Sequence, residues 1–236
     1  MNNEDFISTV SHELRTPLTS IRGFAQTILN SWDKIDDDSK KKFLKIIEEQ
    51  SNRLIHLTEN MLSVNKLNNT PILLKSVNLK DVILPIIQLI RQQYKTHKFI
   101  TNFTENLPNI AGDFDKLQQI MTNLVENAAK YSPENTQITI STSFSNNSDF
   151  LSIKVSDEGI GINKEDAEKV FTKFSRLDNP LTRKVQGSGL GLYITKTLVE
   201  KMNGKISFKS LEKGTEFEVL FPIYNAEEIV KCSVTS

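Results

Sequence analysis

The strongest constraint on how this chain folds is a run of helical periodicity near its start, from Phe6 to Ile28, which carries a histidine and a proline. Wound at about 100° per residue, the run places Ile7, Val10, Leu14, Leu18, Ile21, Ala25 and Ile28 on one side, with Phe6 at the margin. His12, Arg15, Thr16 and Thr19 share the other side. The pattern predicts a helix from about Asn3 to Asn30, one face committed to packing and the other presenting an imidazole to solvent. Pro17 has no N–H and crowds the carbonyl of Glu13, so the helix is expected to loosen beside His12. A bend there would bring the Glu13 carboxylate to a ring nitrogen of His12, which a regular helix does not do for adjacent residues. Imidazole titrates near pH 6.5 or so, and a neutral ring whose other proton a carboxylate can take is a nucleophile. The zinc pattern His-Glu-x-x-His begins the same way, but position 16 is Thr and the second ligand is missing.

A polar connector, Asp33 to Ser39, is rich in residues that cap helices. Beyond it Phe43, Ile47, Gln50, Leu54, Leu57, Met61 and Val64 alternate in steps of four and three, a heptad seam interrupted only by Gln50. Two such helices make a hairpin, and a lone hairpin buries too little apolar surface to be stable. Dimerisation into a four-helix bundle is the expected remedy.

Asn68-Asn69-Thr70-Pro71 ends the second helix, and from about Ser76 the pattern becomes an α/β alternation. Helices are predicted over 81–94, where Pro85 is expected to kink or shorten the segment, over 113–131, and over 188–202, with Gly204 as its C-cap. Strands are predicted over 98–103, 136–144, 150–155, 206–208 and 215–221. The tail from Tyr224 is read as mobile. The other histidines, His56 and His97, receive no role.

The 29 basic and 29 acidic residues cancel, so no bulk charge points to nucleic acid or an anionic membrane. The single cysteine, Cys232, excludes an intrachain disulfide. No apolar run is long enough to cross a bilayer, and the first residues lack the basic and apolar regions of a signal peptide. The expectation is a cytoplasmic chain, with membrane tethering of a longer protein left open.

Three later stretches carry chemistry. Asn123, Asn127 and Lys130 form one stripe on a helix, with Tyr131 following. Amide oxygens suit a hard cation such as Mg²⁺, and a lysine suits phosphate. Asp157-Glu158-Gly159-Ile160-Gly161 follows a strand. Its glycines admit a ligand close to the backbone, and its carboxylate can accept from an amino group such as that of adenine. Gly187-Ser188-Gly189-Leu190-Gly191-Leu192 opens a helix, where free N–H groups attract an anion. This run is neither a P-loop nor a Rossmann fingerprint. Between the last two stretches lie Phe171-Thr172-Lys173-Phe174-Ser175-Arg176 and a segment, 177–186, read as a lid.

Ser11-His12-Glu13-Leu14-Arg15-Thr16-Pro17-Leu18-Thr19 resembles the H box of two-component sensor histidine kinases. The helix from Asp115 to Ser132 resembles their N box, and residues 157–161, 171–176 and 187–192 resemble their first glycine box, F box and second glycine box. Five boxes in order cover nearly the whole chain except the tail. Ser175, Gln186 and Met202-Asn203 depart from the residues most frequent in the family, without removing a chemical group named above.

The resemblance implies an α+β architecture. A dimerisation and phosphotransfer hairpin (1–68) would form a dimeric four-helix bundle. A hinge-like linker (69–75), an α/β sandwich ATP-binding domain (76–223) with a mixed sheet under three helices, and the tail (224–236) would follow. It also implies roles. His12 would be the phosphorylated residue and Glu13 its acidic neighbour. Arg176 would steady the γ-phosphate. Asn123 and Asn127 would bind Mg²⁺, directly or through water, Lys130 a phosphate, and Tyr131 the adenine side of ATP. Asp157 would read the adenine amino group, with Gly159 and Gly161 beneath the nucleotide. Gly187, Ser188, Gly189, Leu190 and Gly191 would line the phosphates. The cofactors implied are ATP and Mg²⁺; the partners are a response regulator receiver domain and a second copy of the chain. Glu13-x-x-Thr16 matches the pattern by which some members dephosphorylate their regulator, with Thr16 orienting a water. Other readings are a non-catalytic ATP-binding dimeric scaffold, a phosphatase-dominant relative and an anti-sigma-type serine kinase.

Overall fold

A computed structural model describes residues 3–67, 71–146, 149–175 and 188–225, the side chains of 3–7, 65, 66 and 164 excepted. Arg176, the 177–186 segment, Gly187, residues 68–70 of the linker region and the tail beyond Asn225 lie outside the described residues.

Helix α1 (Asn3–Asn30) and helix α2 (Asp37–Leu67) form the expected hairpin. The connector caps α2 through Asp36, whose carboxylate accepts from the Ser39 N–H at 2.8 Å and from its hydroxyl at 2.7 Å. The rings of Phe24 and Phe43 meet across the hairpin with centroids 5.2 Å apart. Pro17 neither ends nor splits α1; it is buried in the hairpin seam. A proline ring fills the space between two helices as any apolar group does. The packed face is rotated from the one the periodicity suggested: Leu18 is 54% exposed. Leu18 and Leu29 make one uncovered stripe on α1, and Leu44, Ile55 and Leu62 another on α2.

The remainder is a two-layer α/β sandwich. A five-stranded sheet has the order β2-β4-β5-β7-β6, comprising β2 (Lys98–Phe103), β4 (Gln137–Phe144), β5 (Phe150–Ser156), β6 (Lys205–Ser210) and β7 (Thr215–Pro222). All neighbours are antiparallel except β2 and β4, which are parallel because helix α4 (Phe114–Tyr131) supplies the crossover between them. One face of the sheet is apolar (Ile138, Ile140, Leu151, Ile153, Val155, Val219, Phe221) and is covered by α3 (Leu79–Gln93), α4 and α5 (Gly191–Lys201). The opposite face carries a polar ladder in which Lys154 pairs with Glu216 and Glu218 at 3.5 and 3.6 Å. This alternation is what a sheet with one buried side requires. A small antiparallel pair, β1 (Lys75–Val77) with β3 (Ile110–Gly112), was not anticipated; three-residue strands carry too little pattern to read.

Three expectations need correction. Helix α3 runs unbroken through Pro85, which sits on its exposed side. Helix α5 begins at Gly191, so Ser188 to Leu190 form the approach to it. The left-handed residue that ends α5 is Asn203 (φ 56°), one before Gly204. Gly204 is needed for a different reason: a Cβ there would lie 2.5 Å from the Leu220 carbonyl on β7. At the end of the sandwich, the Tyr224 N–H still donates to the Asn109 carbonyl at 2.8 Å.

The two glycine arguments separate in a thermal melt. Asn203→Gly, which keeps the left-handed turn, is expected to be neutral or stabilising by a few tenths of a kcal/mol. Gly204→Ala is expected to cost about 2 kcal/mol, because α5 must move off β7. A lower Tm for Asn203→Gly than for Gly204→Ala would reverse the assignment.

Candidate functional site

Helix α4 owes its orientation to Leu117, Ile120, Met121, Leu124, Val125, Ala128 and Ala129, all buried against the sheet or its neighbouring helices. Its N-terminus is capped by Asp113, whose carboxylate accepts from the Lys116 N–H at 3.2 Å. With that face committed, Asn123, Asn127 and Tyr131 are carried toward the loops that follow β5 and precede α5. Asn127 and Tyr131 line an open cleft together with Asp157 and Gly161. Lys130 does not line it; its ammonium is 3.2 Å from the Glu126 carboxylate one turn back.

Asp157 is fixed at the cleft. It is 8% exposed, and its Oδ1 accepts from the Gly159 N–H at 2.8 Å and the Thr215 N–H at 3.1 Å. Burial pushes its carboxyl above the ordinary value of 3.8, and the two N–H groups partly oppose the rise. Among the described residues no hydrogen bond is made to Oδ2. One oxygen is thus spent on the protein and the other remains to accept from a ligand. Gly159 is explained by crowding and Gly161 by its backbone angle. A Cβ on Gly159 would lie 2.5 Å from the Tyr131 carbonyl, and Gly161 has φ 71°.

The approach to α5 is built with similar closeness. Ser188 Oγ accepts from the Leu190 N–H at 3.3 Å and from the Asn60 amide of α2 at 3.1 Å. Gly189 has φ 66°, and a Cβ there would lie 2.6 Å from the Phe174 backbone. Leu190, expected to line the phosphates, is fully buried, backbone included, and presents no surface to a ligand. Leu190 occupies the N-cap position without a side-chain cap bond, which leaves the first N–H groups of α5 without a side-chain acceptor there. A Cβ on Gly191 would collide with the Asn123 amide oxygen, and Asn123 Nδ2 donates to Thr195 Oγ1 at 2.8 Å.

His12, Arg15, Thr16 and Thr19 are exposed on α1, as the periodicity implied. The Thr16 hydroxyl donates to the His12 carbonyl at 3.3 Å. Glu13 differs from expectation. Its carboxylate pairs with the Arg53 guanidinium of α2 at 3.2 Å, both side chains about one-fifth exposed. Since α1 does not break at Pro17, Glu13 keeps its place on the hairpin-facing side, where a cation is waiting. None of the cleft residues belongs to the hairpin.

Sequence reasoning missed Gly214, Thr215, Thr195 and the apolar lining from Ile160, Ile162, Val170, Leu192 and Phe217. Gly214 has φ 82°, and any Cβ would collide with the Asp157 carbonyl. The turn Lys213-Gly214-Thr215 between two strands was a visible signal; its meeting with Asp157 follows only from the β5–β7 register.

Two family models match. Residues 2–70 match the His Kinase A (phospho-acceptor) domain, and residues 112–225 the histidine kinase-, DNA gyrase B- and HSP90-like ATPase. The chain belongs to the two-component sensor histidine kinase family. It is 34% identical over 231 residues to the sensor histidine kinase WalK of Bacillus subtilis, covering 95% of this chain and 37% of that protein. It is 32% identical over 219 residues to the signal transduction histidine-protein kinase ArlS of Staphylococcus aureus, covering 92% and 48%. The chain therefore spans less than half the length of these relatives. The fold is shared with histidine kinase ThkA in its complex with response regulator protein TrrA (24% identity, TM-score 0.75, 93% of this chain and 61% of that one). It is also shared with Acinetobacter baumannii AdeS (23%, 0.69, 91% and 98%). Among the described residues no helix is long and apolar enough to cross a membrane.

Asp157→Asn is expected to weaken ATP binding about 10- to 100-fold, the loss of one charge-assisted hydrogen bond. The wild-type affinity is expected to fall as pH drops through a range just above ordinary carboxylate values, and Asp157→Asn to show no such step. Unfolding would not explain the step. A raised carboxyl holds its proton more tightly when folded, so its contribution favours folding at low pH and is lost as pH rises through the folded value. Calorimetric titration of ATP between pH 4 and 8 checks both.

Proposed function

We propose that this chain is an ATP-dependent protein-histidine kinase core that phosphorylates His12 and passes the phosphoryl group to an aspartate of a response regulator. The observation that carries this reading is an imidazole exposed on a bundle helix in the same chain as a cleft whose carboxylate, Asp157, is pre-bonded by two backbone N–H groups. In this reading residues 1–68 are the phosphotransfer hairpin and 76–223 the ATP-binding domain. Asp157 Oδ2 accepts from the adenine amino group, the apolar lining of the cleft takes the ring, and Tyr131 closes its side. The backbone at Ser188, Gly189 and Gly191, with Gly187, faces the phosphates.

The donor set fits Mg²⁺. Asn123 and Asn127 offer neutral amide oxygens, and among the described residues no group of three or more His, Cys, Asp or Glu could hold a metal by itself. That suits an ion shared with phosphate oxygens and water. When bound, Mg²⁺ supplies charge neutralisation at the phosphates. Lys130, once it leaves Glu126, and Arg176 add positive charge. A ring nitrogen of His12 attacks the γ-phosphorus in line, the P–N bond forms as the bond to the β–γ bridging oxygen breaks, and ADP leaves. Glu13 is the acceptor for the other ring proton, which requires it to exchange Arg53 for His12. The uncovered stripes of Leu18 and Leu29 and of Leu44, Ile55 and Leu62 support a homodimer in which a second hairpin completes a four-helix bundle.

Incubation with γ-labelled ATP and Mg²⁺ tests the reading. The expected label is lost in acid, survives base and is absent from His12→Gln. If ATP binds and no such label forms, the chain is a non-catalytic scaffold. A second activity is favoured by Thr16, whose exposed hydroxyl lies one turn from His12 on the same face. Thr16→Ala is expected to leave autophosphorylation within about threefold and to slow dephosphorylation of the phosphorylated regulator tenfold or more. Equal loss of both rates would assign Thr16 to the kinase step alone.

A further inference from the structure

Thr195 lies on the second turn of α5, is 1% exposed, and carries a hydroxyl that an interior helix position does not need. Among the described residues its one hydrogen-bond partner is the Asn123 amide nitrogen, at 2.8 Å. Gly191 precedes it by four residues and so lies on the same face of α5, one turn nearer the N-terminus. The Asn123 oxygen occupies the space that a side chain at 191 would fill. The two positions together hold both ends of one amide.

We propose that Thr195 is a positioning residue which, with Gly191, fixes the Asn123 amide so that its oxygen, and not its nitrogen, faces the uncapped first turn of α5. Thr195 thereby sets how strongly Mg²⁺ tightens ATP binding.

The argument is geometric. A primary amide carries its acceptor and its donors at opposite ends of one plane, so the end that meets Thr195 leaves the other over Gly191; the hydroxyl can pair with either end, and the Gly191 Cα–H is what favours an oxygen above it. Asn123 Nδ2 is spent on the second turn of α5, and Oδ1 therefore lies over Gly191 at the first turn, where the N–H groups lack a side-chain cap. The opposite orientation would put two N–H donors at that point and repel a cation. A buried neighbour that orients a ligand group typically alters metal affinity 10- to 100-fold when it is removed. Glycine at 191 also gains a reason besides exposing backbone to phosphate: only an absent side chain leaves room for the amide. The inference rests on the reading of Asn123 as a metal-side group, and the test separates the two.

ATP affinity is measured by calorimetry in Mg²⁺ and in EDTA for the wild type, Thr195→Val, Thr195→Ala, Thr195→Ser and Asn123→Ala. The ratio of the two affinities is the gain from Mg²⁺. Thr195→Val and Thr195→Ala are expected to reduce that gain about tenfold while the EDTA affinity stays within about twofold, and Thr195→Ser to restore it. In an Asn123→Asp background, where both side-chain ends are oxygens, Thr195→Val is expected to have no further effect on the gain. If Asn123→Ala loses the gain and both Thr195 variants keep it, the proposal is overturned and the metal reading stands. If Asn123→Ala keeps the full gain, the metal reading fails and the proposal with it. Equal weakening with and without Mg²⁺ in both Thr195 variants would make Thr195 structural and overturn the proposal.

Discussion

The bond from the Thr215 N–H to the Asp157 carboxylate is the point on which the cleft of the α/β sandwich depends. It joins the end of β5 to the start of β7 immediately beyond their paired residues Ser156 and Glu216. Because the bond comes from backbone, it exists only when the sheet is in register. A one-residue slip would send every core side chain of β7 to the polar face and would also remove the donor. Burial of Asp157 has a cost, since a carboxylate loses hydration there. Two N–H bonds to one oxygen offset that cost and leave the other oxygen directed by the same geometry. The cleft is therefore set by sheet pairing and does not rely on flexible side chains.

Around that point the glycines act as clearances between elements. Gly159 lets the loop after β5 lie against the end of α4, Gly214 lets the β6–β7 turn lie against Asp157, and Gly191 lets Asn123 reach across α5. Gly159 and Gly214 bring two chain segments into backbone contact beside the cleft, and Gly191 admits the Asn123 side chain. In sequence these residues look like ligand-facing glycines in general. In the structure at least three of them first serve contacts within the protein.

The elements with long, strong periodicity were legible. Helices α1 and α4, strand β2 and the seam of α2 lie where their patterns placed them, because each buries one continuous stripe. Legibility failed where a residue's partner is remote. Glu13 sits beside His12 in sequence, yet Arg53, forty residues away, takes its carboxylate. Leu18 belongs to the apolar pattern of α1 and is not covered by α2, since one neighbour covers only part of a wide stripe. Pro17 was expected to loosen α1 and Pro85 to kink or shorten α3, but a helix with a packed apolar face holds together across one missing hydrogen bond. Thr195 carries no local signal, and the turn that holds Thr215 does not show that it meets Asp157. Their importance comes from register and helix packing, which a linear pattern does not encode.

The contacts between hairpin and sandwich also bear on how a phosphoryl group would pass from cleft to His12. Val64 and Leu67, at the end of α2, are buried within the same apolar cluster as α3, α4 and α5. The Lys201 ammonium donates to the Leu67 carbonyl, and Asn60 donates to Ser188. Removing two such apolar side chains from the core would cost about 3–6 kcal/mol, while a part-buried neutral hydrogen bond such as that of Asn60 with Ser188 is worth about 1 kcal/mol. A domain motion that parts at the polar contacts is thus far easier than one that uncovers Val64 and Leu67. The last turn of α2 is therefore held to the sandwich more firmly by Val64 and Leu67 than by the polar contacts around it.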